Sequence, residues 1–174
     1  MEIKKVLLHI CCAPCATAST EKLLENGYEV HYFYSNSNIH PFEEYKKRLD
    51  NVHQLAKHYE IPLYIDEYIH QKWLSAVKGY EAEPERGGRC ALCFEYNLKK
   101  TFEKKQEESF DHFTTSLTIS PYKDSKKIFQ IGKNYEGFLA IDFKKQNGYK
   151  KSIELSDQLG LYRQKYCGCE FSLS

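Results

Sequence analysis

Seven cysteines carry most of the chemistry available to this 174-residue chain, and they fall in three short groups. The first is Cys11-Cys12-Ala13-Pro14-Cys15, at a predicted strand-to-helix turn, where free backbone N–H groups and the helix dipole favour thiolate over thiol. Such a thiolate can bind a metal or act as a nucleophile. The second is Cys90-Ala91-Leu92-Cys93, preceded by Arg86-Gly87-Gly88-Arg89, with the same helix-start character and cations close by. Two intervening residues let both thiols reach one metal or one cluster. The third is Cys167-Gly168-Cys169, on a glycine-containing tail; its spacing suits a reversible disulfide as well as metal ligation, although the ring would be tight.

An odd cysteine count, with two adjacent members, argues against a plain disulfide framework, and a chain of this length can build an ordinary core without staples. The expected setting is a reducing cytoplasm, where clustered thiols serve metals or redox chemistry. Three chemistries compete. A structural zinc site is possible, but the two CxxC pairs are more than seventy residues apart rather than at ribbon spacing. Soft thiolates also select iron–sulfur clusters. The pair Cys12 and Cys15 forms a C-x-P-C sequence like that of a thioredoxin-type dithiol, a scheme that leaves Cys11 and four further cysteines without a role.

The elements that must position these groups follow from hydrophobic periodicity. Lys5 to Ile10 reads as a buried strand and Ala16 to Asn26 as a helix ending at Gly27. Tyr28 to Tyr34 reads as a second strand, followed by the polar loop Ser35 to Asn38. After Pro41, the recurrence of Phe42, Tyr45, Leu49, Val52 and Leu55 gives an amphipathic helix. Pro62 to Ile65 is expected as a third strand, Gln71 to Lys78 as a short helix, and a longer helix opens near Cys90 and runs to about Glu108. His112 to Thr115 is a fourth strand. Ser125 to Tyr135 is a helix capped by Asp124, Phe138 to Ile141 a fifth strand, and Ser152 to Leu159 a last helix. Strands alternating with helices predict a single α/β domain over residues 1–174. Its expected form is a Rossmann-like parallel sheet of about five strands with helices on both faces. In such sheets ligands sit beyond the carboxyl ends of the strands, where the Cys11 to Cys15 loop, Thr115, Ser116 and Asp142 fall.

Composition excludes other classes. The net charge of +1 gives no global argument for a nucleic-acid or membrane partner, so any such contact must use a local patch. The start of the chain superficially resembles a signal peptide, but its apolar run is broken by His9 and Pro14, and its first part has the length of a strand. No stretch reaches the ~18 apolar residues of a membrane helix. A cytoplasmic protein without a membrane partner is expected.

Taken together, several segments resemble the QueH epoxyqueuosine reductase family. They are His9 to Cys15, Gly87 to Cys93, Thr114 to Pro121, Asp142 to Lys145 with Gly148-Tyr149, Ser152 to Ser156, and Gly160 to Gln164 leading into Tyr166 to Cys169. The order is right across nearly the whole chain. The resemblance implies cobalamin-independent, two-electron removal of the epoxide oxygen of epoxyqueuosine in tRNA. It implies a 4Fe-4S cluster on Cys11, Cys12, Cys90 and Cys93, and a redox-active pair at Cys167 and Cys169. A single cluster usually passes one electron at a time, so a second store is needed: an additional iron held by Cys15 and Asp142, or the Cys167/Cys169 dithiol. An external electron donor is required in either case.

Substrate contacts are expected in the cationic segment from Lys144 to Lys165, with Lys144, Lys145 and Arg163 facing phosphates and Tyr149 among the tyrosines able to stack on bases. Thr115 and Ser116 are candidates to hydrogen-bond ribose or cyclopentane hydroxyls. His9, inside the first strand, is expected to be a satisfied core histidine.

Overall fold

The computed structural model describes residues 2–173. Four strands, β1 (Lys5–His9), β2 (Glu29–Tyr34), β3 (Leu63–Ile65) and β4 (His112–Thr115), form a wholly parallel sheet in the order β3-β2-β1-β4. Six helices connect and cover them: α1 (Ala13–Glu25), α2 (Phe42–Tyr59), α3 (His70–Ala76), α4 (Gly88–Glu107), α5 (Ser125–Gly132) and α6 (Gly148–Gln158). The expected α/β architecture is therefore present.

Residues of β1 alternate between two cores, as the two-residue period of a strand requires. Val6 and Leu8 pack with Ala16 and Leu23 of α1, Val52 and Leu55 of α2, and Leu161. Leu7 turns the other way, onto Phe33, Phe113, Phe94 and Leu98 of α4, and Ile128 of α5. Each of these β1 side chains is fully buried. Truncating one to Ala would cost ~2–5 kcal/mol.

The expected fifth strand is reduced to a single parallel bridge between Phe113 and Phe138. Its carbonyls go elsewhere. Thr114 Oγ1 donates to the Leu139 carbonyl at 2.8 Å and Thr118 Oγ1 to that of Ile141 at 2.8 Å. Beyond the two backbone bonds at Phe113, the segment is thus held by side chains.

The starts of α1 and α6 lie three and four residues earlier than periodicity suggests. α1 begins at Ala13 with Pro14 in its first turn, a position where the missing N–H costs nothing, so Cys12 is its N-cap and Cys15 lies in the first turn. α6 begins at Gly148, where a Cβ would lie 1.7 Å from the Phe143 carbonyl oxygen; only glycine allows that approach. The loop Ser35 to Asn38, polar in sequence, is buried throughout. Asn36 Nδ2 donates to the Ile10 carbonyl at 2.8 Å, which joins the exits of β2 and β1.

Candidate metal centre and cavity

Beyond the carboxyl ends of β1, β2 and β4 lies a cavity of about 430 Å³. Cys11, Cys15, Cys90, Cys93, Cys167 and Cys169 all line it. Cys12, buried, packs beneath, with its sulfur 3.9 Å from that of Cys11 and 2.7 Å from that of Cys15. All seven cysteines are free thiols, and those of Cys11, Cys12 and Cys15 lie within 4.8 Å of one another. Groups separated by more than seventy residues in sequence are gathered at one edge of the sheet.

The local structure explains why. Cys11 ends the extended run of β1, and its amide donates to Ser116 Oγ at 3.3 Å, which ties the thiol loop to the exit of β4. The second group sits in the first turns of α4, where the Arg86 amide donates to the Cys90 sulfur at 3.3 Å. The third group is held by Arg48, a buried residue of α2 whose Nη1 and Nη2 donate to the carbonyls of Cys167 and Tyr166, each at 2.9 Å. Its Nε donates to Glu44 at 2.9 Å, so each of the three guanidinium nitrogens makes a hydrogen bond. The Gly168 carbonyl accepts from the His40 amide at 2.8 Å. Gly168 has a φ of 118°, and an added Cβ would meet Ile39 at 2.9 Å and Arg48 at 3.0 Å.

Electrostatics sort the thiols. The Cys11 thiol is held well below its ordinary pKa, first by hydrogen bonds from Cys12 and Cys15, then by Ser116 and the Lys123 ammonium. Burial pushes the Cys12 thiol up to about 12, and Cys15 is raised first by its hydrogen bonds to Cys11 and Cys12, which favour its protonated form. The triad thus concentrates its first negative charge on Cys11. Burial also pushes Cys93 up to about 12, although the Trp73 indole N–H faces its sulfur. That indole nitrogen is buried without a nitrogen or oxygen partner.

Lys123, just ahead of the Asp124 cap of α5, points into this set. Burial opposes its charge, yet the sulfurs of Cys167, Cys11, Cys15 and Cys93 outweigh burial and raise its pKa. Nothing in its local sequence marks it. Its place after β4 is the signal that finds it, since strand exits bear the site in this architecture.

The remaining candidates divide. Tyr149 and Arg163 line the cavity. Ser116 supports Cys11 from behind, with its Oγ 3.5 Å from the Cys11 sulfur. Thr115 is fully buried; it caps the following turn by accepting from the Leu117 amide at 3.1 Å and pairs with His9 Nδ1 at 2.9 Å. His9 Nε2 faces the Ser35 carbonyl at 3.1 Å and therefore carries the proton, which makes His9 the satisfied core residue expected. Asp142 is not on the cavity wall. Its carboxylate accepts from Lys144 Nζ at 3.0 Å and from the Lys144 amide at 3.2 Å. Both contacts lie in the loop before α6. Lys144 also donates to the Thr118 carbonyl and to Ser125 Oγ, which ties it to the scaffold, whereas Lys145 is exposed.

A parallel α/β sheet with a thiol-walled cavity at its strand exits defines a protein built to hold a soft metal centre, and the donor set fits an iron–sulfur cluster. The model of the epoxyqueuosine reductase QueH family matches residues 6–174, and the chain belongs to that family. It is 38% identical over 178 residues to the QueH of Streptococcus pyogenes serotype M1, a match covering 96% of this chain and 69% of that protein. The QueH of Thermotoga maritima is 35% identical over 176 residues, covering 97% of this chain and 90% of that one. Among solved structures, the U34-tRNA thiolase NcsA from Methanococcus maripaludis with its [4Fe-4S] cluster superposes with a TM-score of 0.62 at 13% identity. That match covers 99% of this chain and 62% of the other, a likeness of fold. No helix among the described residues is long and apolar enough to cross a membrane.

Proposed function

We propose that residues 1–174 act as one iron–sulfur reductase domain that removes the epoxide oxygen of epoxyqueuosine in tRNA, without cobalamin, to give queuosine. The observation that carries this reading is the convergence of the two CxxC groups and the tail cysteines on one cavity in a member of this family. A thioredoxin-type dithiol or a separate zinc module would leave part of this set idle.

In this reading Cys11, Cys12, Cys90 and Cys93 hold a 4Fe-4S cluster, which when bound supplies electrons at low potential. Opening the epoxide to an alkene consumes two electrons and two protons and releases water. The chain's own residues manage the protons and the substrate. Lys123, kept protonated among sulfurs, presents its Nζ to the departing oxygen as hydrogen-bond and proton donor. Cys167 and Cys169, in the same wall, form a disulfide as they give up two electrons and two protons, which an external donor later restores. Arg86, Arg163 and Lys165 bring cations to the cavity against Glu85 and Asp124 and attract the phosphates of the anticodon loop. Tyr149 in the wall and Tyr122, 72% exposed beside Lys123, offer faces for splayed bases.

The test is anaerobic incubation of epoxyqueuosine-containing tRNA with the iron-loaded protein and a chemical reductant, followed by mass spectrometry of the nucleosides. Conversion to a nucleoside lighter by one oxygen is expected, with loss of iron and turnover in Cys90→Ser. Absence of conversion by protein holding a full complement of iron and sulfide would overturn the assignment.

A further inference from the structure

Outside the thiol cavity, His40, His70 and Glu170 bring one ligand atom each within 4.8 Å of one another. They come from three separate places: the loop between β2 and α2, the first residue of α3, and the 3-10 turn Glu170–Ser172 that follows the cysteine tail. We propose that these three side chains form a binding site for a divalent transition metal of the zinc type, and that the bound ion fastens the C-terminal tail to the body of the protein.

The proton inventory of His70 supports this. Its Nδ1 lies 2.7 Å from the Ser37 carbonyl, an acceptor only, so Nδ1 carries a hydrogen. Its Nε2 lies 2.7 Å from Glu170 Oε1. A carboxylate and the second nitrogen of an Nδ1-protonated imidazole are both acceptors. They meet at that distance by sharing a proton, whose place a metal ion takes when the two atoms spread to its coordination distances. A histidine whose far nitrogen donates to a backbone carbonyl, with its near nitrogen beside a carboxylate, is oriented as metal-binding histidines are. His40 completes the set. Its ring stacks on that of His70 with centroids 5.2 Å apart, and no described residue hydrogen-bonds its ring nitrogens. Two imidazoles and one carboxylate match the nitrogen and oxygen preference of zinc, with a fourth position left for water.

Position gives the ion a consequence. The His40 amide donates to the Gly168 carbonyl, and its own carbonyl accepts from the Tyr166 hydroxyl. Glu170 directly follows Cys169, and Phe171 stacks on Trp73 of α3. An ion on His40, His70 and Glu170 therefore closes a bracket around Cys167 and Cys169 and sets how freely that segment moves at the cavity wall.

The test uses full-length protein purified anaerobically, with iron and sulfide counted, titrated with Zn(II) and examined by zinc-edge X-ray absorption. Expected is one zinc per chain in a nitrogen/oxygen shell at about 2.0–2.1 Å, without sulfur at about 2.3 Å. Substituting His40→Ala, which removes no hydrogen bond, should weaken that zinc by at least ~10-fold while leaving iron and sulfide unchanged. Zinc should also slow amide exchange across residues 163–173 in the wild type and not in His40→Ala. A zinc shell of sulfur alone, or zinc binding and exchange that are indifferent to His40→Ala, would reduce His70 and Glu170 to an ordinary ion pair and end the proposal. Both readouts are independent of the reductase assignment.

Discussion

The Cys11 sulfur stands 3.5 Å from Ser116 Oγ, and the Cys11 amide donates to that same oxygen at 3.3 Å, so one hydroxyl joins the exits of β1 and β4. Ser116 is fully buried. Ser116→Ala leaves a buried amide unsatisfied, at a cost of ~1–3 kcal/mol in chemical denaturation. It also removes one of the contacts that lower the Cys11 pKa. In metal-free protein at neutral pH, alkylation of Cys11 should slow relative to wild type, as peptide mass spectrometry would show.

Lys123→Met removes an ammonium held among the cysteine sulfurs. Iron and sulfide content should be retained, and single-turnover conversion of the tRNA nucleoside should fall by about 10²–10³-fold, the usual weight of a placed proton donor. Lys123→Arg should recover part of the loss. Equal rates in wild type and Lys123→Met would remove Lys123 from the chemistry.

Arg48→Met deletes both donors to the tail carbonyls and leaves the half-buried Glu44 carboxylate without its cation, with the Tyr162 hydroxyl as its remaining donor. Breaking such a buried charge network costs ~3–5 kcal/mol. The effect should be concentrated at the tail: amide exchange at residues 166–169 should accelerate far more than in the β1 core.

Asp142→Ala should leave iron content and turnover unchanged, because Asp142 faces Lys144 and not the cavity. A lower thermal midpoint is expected, since the Lys144 amide and ammonium both lose an acceptor. Loss of iron in this variant would restore Asp142 as a ligand.

His9 sets a pH dependence. Burial lowers its pKa below 6.5, so the unfolded chain takes up a proton that the folded chain refuses. The stabilisation is complete above the unfolded value and is lost as pH falls from there through the lowered folded value, at up to ~1.4 kcal/mol per pH unit for one proton. Urea unfolding of wild type between about pH 6.5 and 5 should show this loss. His9→Gln should start less stable and show a shallower slope across the same window.

Much of this was legible in the chain itself. Alternating apolar residues in β1, the 3–4 spacing of α2 and the strand–helix order lead to a parallel α/β sheet, because those periods are local consequences of backbone geometry. The thiol spacings are likewise local, and a cysteine beside Pro14 at a helix start announces its chemistry wherever it lies. What the sequence could not carry is long-range placement. Only packing brings Cys11, Cys90 and Cys167 to one cavity, sends Asp142 to Lys144 instead, and puts Lys123 among sulfurs far from it in sequence. The fifth strand is decided in the same way: the β-prone run 138–141 pairs with β4 only around Phe113 and is otherwise held by Thr114 and Thr118, more than twenty residues earlier. Residue types determine which chemistry is available, whereas the sum of weak tertiary contacts determines which side chains meet. That sum depends on partners distant in the chain, which no local pattern encodes.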